Sequence, residues 1–167
     1  ELAVPIVLVT HDLQEARLLA DRIVVMDAGL VLQQGRPEDV HRAPRNARVA
    51  DLVGIQNRFE GRWVGPSGRP GWGWLDWVAG DAAVRLEVRD KGKIEPGQPV
   101  TWVVPGDGIA LLDHAPAPGA AGEFAAVVAE ARHLGEITLA TLALDAVPTA
   151  PLRLTLAGPQ RLRIAAG

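Results

Sequence analysis

The chain has 167 residues, 48% of them hydrophobic, with a formal net charge of -3 and no cysteine. That length allows one domain or two small ones around a packed core. The missing thiols exclude disulfides, thiolate metal sites and a thiol nucleophile, and the acidic balance argues against a general nucleic-acid binder.

Residues Val4 to Val9 form a continuous apolar run of strand length, the pattern of a strand covered on both faces. Thr10-His11-Asp12 follows. Asp12 is a good N-cap, and Glu15 three residues on completes a capping box. Leu13, Ala16, Leu19 and Ala20 then recur at helical spacing, predicting a helix over 13–20. A second apolar strand, Arg22 to Met26, runs into a turn at Asp27-Ala28-Gly29. Pro37 opens a short helix that ends before Ala43-Pro44. In an open α/β sheet, chemistry collects at the carboxyl ends of strands, and His11 stands at such an end. A neutral imidazole there can donate to a phosphate oxygen and accept a proton from water; the plainer role is to satisfy a turn.

From about Ile55 short β-rich runs alternate with Gly/Pro turns: Arg58 to Val64, Gly71 to Val78, Ala83 to Val88, Pro99 to Val104 and Gly108 to Leu112. The Pro-, Ala- and Gly-rich run 115–122 reads as a linker. A second set follows at Phe124 to Arg132, Glu136 to Leu144, Leu152 to Leu156 and Arg161 to Ile164. Such spacing predicts a small antiparallel barrel or sandwich, and the two sets read as a diverged repeat. Among the tryptophans, Trp72 and Trp74 share a strand face and Trp77 takes the other, as barrel core or interface. The four histidines match no metal spacing, and Ser67, the only serine, sits in a Pro-Ser-Gly turn with no partner pattern for hydrolysis.

The string strand, Thr10-His11-Asp12, helix, Ala20-Asp21-Arg22-strand, then Gly35-Arg36-Pro37-Glu38 resembles the last part of an ABC-transporter ATPase domain. The resemblance covers about residues 1–45. It implies that His11 is the switch histidine contacting the ATP γ-phosphate in an intact protein that binds ATP and Mg. No G-x-x-x-x-G-K-[ST] loop, LSGGQ-like signature or Walker-B strand occurs in the chain. The chain therefore reads as a fragment of a longer protein, inactive alone and needing no cofactor by itself.

Residues 53–167 resemble the molybdate-binding-protein module and the related TOBE domain. Gly54-Ile55-Gln56-Asn57-Arg58-Phe59-Glu60-Gly61 is similar to the family's A-R-N-x-L-x-G-x-V start, and Ile94-Glu95-Pro96-Gly97-Gln98-Pro99-Val100 to its L-x-P-G-x-x-V. The K-A-S positions of the family's oxyanion site are Val104, Pro105 and Gly106, which leaves Gln56, Asn57 and Arg58 as candidate oxyanion donors; the plainer role, and the favoured one, is that Asn57 and Arg58 cap a turn and cover the barrel mouth. The expected fold is thus an α/β fragment, the end of an ABC ATPase domain, followed by all-β OB-like small barrels. The expected organisation is residues 1–50, a first β module at 53–114, the linker 115–122, and an incomplete second module at 123–167.

The resemblance implies the C-terminal portion of the ATP-hydrolysing subunit of a bacterial importer for molybdate or a related oxyanion, its β region serving regulation or dimer contact. Implied partners are membrane permease subunits, a second copy and the oxyanion, with no nucleic acid, at the cytoplasmic face of the inner membrane. The alternatives are a free molybdate- or tungstate-binding module, or an importer for sulfate, ferric ion, polyamine or sugar.

Overall fold

A computed structural model describes residues 4–117 and 120–164. The chain divides into two compact units, Glu1–Ile55 and Gln56–Gly167.

The first unit holds α1 (Leu13–Leu19), β1 (Ile23–Asp27), β2 (Leu30–Gly35), α2 (Pro37–Arg42) and α3 (Ala47–Leu52). β1 and β2 are an antiparallel hairpin joined through Ala28-Gly29. Both loop residues have positive φ, 47° and 80°, the geometry whose twist suits adjacent strands. α2 starts at Pro37, where a missing N–H costs nothing. The sequence reading omits β2 and α3, yet α3 carries its own signal. The Asn46 side chain accepts from Val49 N–H at 2.9 Å as an N-cap. Val40, Val49, Ala50, Val53 and Ile55 are buried as the core of this unit.

Two expectations fail here. Val4 to Val9 form no strand, and every residue of the run is exposed, Val9 at 92%. Apolar side chains alone do not make a strand; its N–H and C=O groups need a partner, and none pairs with this run among the described residues. β1 is not covered on both faces either, with Val24 and Met26 more than half exposed.

The second unit is β-rich, as the turn spacing predicts. β3 (Arg58–Pro66), β4 (Trp72–Ala79), β5 (Ala82–Arg89) and β6 (Pro99–Val103) form an antiparallel sheet in the order β5-β4-β3-β6. β7 (Ala126–Leu134), β8 (Ile137–Leu144) and β9 (Val147–Ala157) form a second, in the order β7-β8-β9. Neither sheet closes on itself. Side chains of both fill one core: Leu75, Trp77 and Leu86 from the first pack with Leu142, Leu144, Leu152, Leu154 and Leu156 from the second. β9 alternates buried and exposed along most of its length, so each inward leucine contributes roughly 1.5–3 kcal/mol of burial.

Two expected strands are not formed. Gly106–Gly108 is a short 3-10 turn, and 109–112 is irregular while Ile109 and Leu111 still pack on the core. Gly158–Arg163 is a second 3-10 turn, where Gly158 at φ 58° and Pro159 end β9 and leave Arg161 to Arg163 out of any ladder.

An aromatic cluster joins three strands of the first sheet. Phe59, Trp77 and Trp102 lie with ring centroids 4.8–5.1 Å apart, and Phe124 stands edge-on to Trp77. The Trp63 ring is buried over Gly73, which has no side chain to block it. A Cβ there would stand 2.0 Å from Trp63 Cη2.

Candidate functional site

The turn at Thr10-His11-Asp12 is held by its own side chains. Thr10 Oγ1 accepts from Asp12 N–H at 2.9 Å and donates to Glu15 Oε2 at 2.9 Å. Asp12 Oδ1 accepts from Glu15 N–H at 3.2 Å, and the Asp12 carbonyl accepts from Ala16 N–H. Asp12 therefore caps α1 as its type predicts. The capping box is altered: Thr10 takes the Asp12 N–H, and the Glu15 carboxylate turns to the Thr10 hydroxyl instead. These bonds fix the backbone on either side of His11, whose side chain is exposed. The arrangement presents an imidazole without enclosing it. One exposed ring is by itself no phosphate cradle.

Gln56, Asn57 and Arg58 come to one place, at the start of β3, and each is placed differently. Asn57 is buried at 3% exposure. Its Nδ2 donates to the Arg153 carbonyl and its Oδ1 accepts from Arg153 N–H, both at 2.7 Å, while its own carbonyl accepts from Val104 N–H. The Asn57 amide thus serves the backbone of β9. Gln56 and Arg58 are exposed and line a cleft of about 550 Å³. Phe59 and Trp77 also line it, with Glu60 and Arg153 as its other charged groups. Arg58 and Arg153 bring two guanidinium groups to its lining against the one carboxylate of Glu60, beside Gln56 and Thr149. Sequence reasoning missed Glu60, Thr149 and Arg153. Nothing local marks Thr149 and Arg153, because β9 reaches the cleft only through sheet packing, whereas Glu60 stands two residues from Arg58 on β3.

Two ion pairs elsewhere are structural. Arg85 forms a two-pronged bond to Asp76 directly across β4 and β5, at 2.8 and 3.1 Å. Arg48 does the same to Asp27 at 2.7 and 2.9 Å, tying α3 to the hairpin. Each guanidinium holds its partner carboxyl below the usual carboxylate value. Trp72 has Arg69 and Arg89 over its ring at 4.1 and 4.4 Å, so the chain's own cations already use its face. Among the described residues no group of three His, Asp or Glu could hold a metal ion, and no helix is long and apolar enough to cross a membrane.

No family model matches the chain. Curated relatives do. The chain is 34% identical over 113 residues to the spermidine/putrescine import ATP-binding protein PotA of Clostridium novyi, covering 68% of this chain and 29% of that protein. To the PotA of Borrelia garinii it is 32% identical over 142 residues, 83% of this chain and 36% of that protein. A shorter stretch of 61 residues is 48% identical to the PotA of Acetivibrio thermocellus, over 36% of this chain and 17% of that protein. Its homologues are ATP-binding subunits of ABC importers. The chain spans about a third of the length of the first two of these relatives. The resemblance carried by Thr10-His11-Asp12 and the following helix agrees with these importer homologues.

Proposed function

We propose that this chain is the C-terminal portion of the ATP-hydrolysing subunit of a bacterial ABC importer. Similarity to an import ATP-binding protein over 83% of the chain carries this reading. The side-chain-locked turn that presents His11 supports it. In the whole subunit His11 is assigned to the γ-phosphate, with ATP and Mg held by elements outside this chain. The β-rich unit, of TOBE type, serves regulation or contact between two copies. The partners are membrane permease subunits, and the protein works peripherally at the cytoplasmic face of the inner membrane.

For the cargo, the names of the relatives favour a polyamine over molybdate. Polyamine was one alternative in the sequence reading, and it now stands first. Molybdate or a related oxyanion is the second reading, favoured by the cleft with Arg58, Arg153 and Gln56.

The test is uptake of labelled spermidine by vesicles holding the whole subunit and its permease. Uptake driven by ATP and lost in His11→Ala is the expected result. Uptake that survives His11→Ala would refute the assigned role of His11. Calorimetric titration of the chain with molybdate, against sulfate, decides the second reading: saturable binding selective for molybdate supports it, and silence removes it.

A further inference from the structure

The three-stranded sheet has two edges, β7 and β9, and the chain treats them differently. The β9 edge is engaged at Arg153 and Leu154. The Asn57 amide takes both backbone groups of Arg153, and the turn at Gly106 lies against Arg153 and Leu154. β7 is bare. It runs nine residues, eight of them exposed and Ala131 half-buried. Among the described residues its only strand partner is β8. It contains no proline and no lysine, two residues that blunt edge strands. Val127 and Leu134 are 61% and 56% exposed on it. A long free edge of this kind is a template for another strand.

The charges on β7 decide which strand fits. Glu130 and Arg132 share one face, lie in the part of β7 that pairs regularly with β8 after the irregularity at Ala129, and are both more than half exposed. Consider β7 meeting a second β7 antiparallel about a two-fold axis. Opposed residues must share a face, so the axis falls on a residue and not between two. An axis on Glu130 sets glutamate opposite glutamate, and an axis on Arg132 sets arginine opposite arginine. An axis on Ala131 sets Glu130 of each strand opposite Arg132 of the other, twice. Directly opposed like charges destabilise a ladder and opposite charges stabilise it.

We infer that the free edge of β7 pairs antiparallel with β7 of a second copy of this chain, in the register that crosses at Ala131. This rests on the proposed role of the β-rich unit in joining two copies, and it names the edge and the register. The pairing merges two three-stranded sheets into one continuous sheet. It also replaces the Glu130–Arg132 contact within each strand by two contacts across the axis.

The test is the mass of the chain in solution by sedimentation equilibrium, for wild type, Glu130→Arg, Arg132→Glu and the double swap E130R/R132E, with circular dichroism confirming that each is folded. The wild type is expected to dimerise. Each single reversal, which sets like charges opposite at both pairs, is expected to weaken the dimer about tenfold or more, and the double swap to restore it. A wild-type dimer indifferent to both reversals overturns this edge while leaving the joining role intact. Failure of the double swap to restore the dimer overturns the register. A monomeric wild type overturns both the edge and the joining role.

Discussion

Asn57 and Arg153 lie 96 residues apart, and the side chain of the first closes both backbone groups of the second at 2.7 Å. The carboxamide has the same donor and acceptor pair as a peptide unit. It acts as one rung of strand ladder supplied from a loop, and it fastens the entry of β3 to β9. That single side chain positions Arg153 in the cleft that Gln56 and Arg58 also line.

Replacing Asn57 by alanine leaves the Arg153 N–H and C=O without their partner. The loss is expected to be about 1–3 kcal/mol, since each of the two part-buried hydrogen bonds contributes roughly 0.5–1.5. Chemical unfolding of the chain measures it, with Gln56→Ala, at an exposed position, as the near-neutral control. Equal midpoints for the two variants would remove the structural role given to Asn57.

Gly73→Ala drives a methyl into Trp63, whose Cη2 and Cζ2 would stand 2.0 and 2.5 Å from it, and toward the Gly65 carbonyl at 2.7 Å. The expected cost is about 1–3 kcal/mol or more. Trp63→Leu removes the indole from two of those three contacts. A double-mutant cycle should therefore show coupling of about 1 kcal/mol or more. Strict additivity would mean that the indole is not what forces glycine at position 73.

Ala28 sits at φ 47° in the loop between β1 and β2, where a Cβ is strained. Asparagine tolerates this backbone, so Ala28→Asn is expected to stabilise the first unit by about 0.5–1 kcal/mol. Ala28→Val, with a branched side chain in the same backbone, is expected to destabilise it. Thermal unfolding midpoints of the pair decide the point by their opposite signs.

Acid should weaken both units through two carboxylates. Arg48 holds Asp27, and Arg85 holds Asp76, below the ordinary carboxyl value of 3.8. A depressed folded value means that the unfolded chain takes up the proton first. The stabilisation is therefore whole above the ordinary value and is lost as pH falls through it toward the folded one. Asp76→Asn should flatten that acid limb for the second unit. An unchanged slope of stability against pH would show that the Arg85 pair contributes nothing measurable.

Local chemistry was readable wherever it closes on itself. Asp12 at the head of α1, Pro37 at the head of α2 and the Asp27-Ala28-Gly29 turn act within a few residues, so their types and spacing suffice. The runs behind β8 and the second half of β9 were legible from their β-rich composition between turn residues. The bonds among Thr10, Asp12 and Glu15 around the exposed His11 are equally local.

Pairing was not readable. Val4 to Val9 has the composition of a strand, but a strand exists only with a partner, and that condition lies outside the segment. A structural role for Asn57 was the plainer reading of its sequence, but its partner was not legible: the amide is spent on Arg153, a contact that depends on two sheets packing face to face. The engaged edge at β9 and the bare edge at β7 likewise follow from strand order. The sequence by itself determined the caps, the turns and the β-rich character of the second unit, because those depend on neighbours a few residues away. Only the tertiary structure decided which polar groups were used internally and which were left for a partner, because that depends on residues brought together from ~100 positions apart, where loop closure carries no local signal.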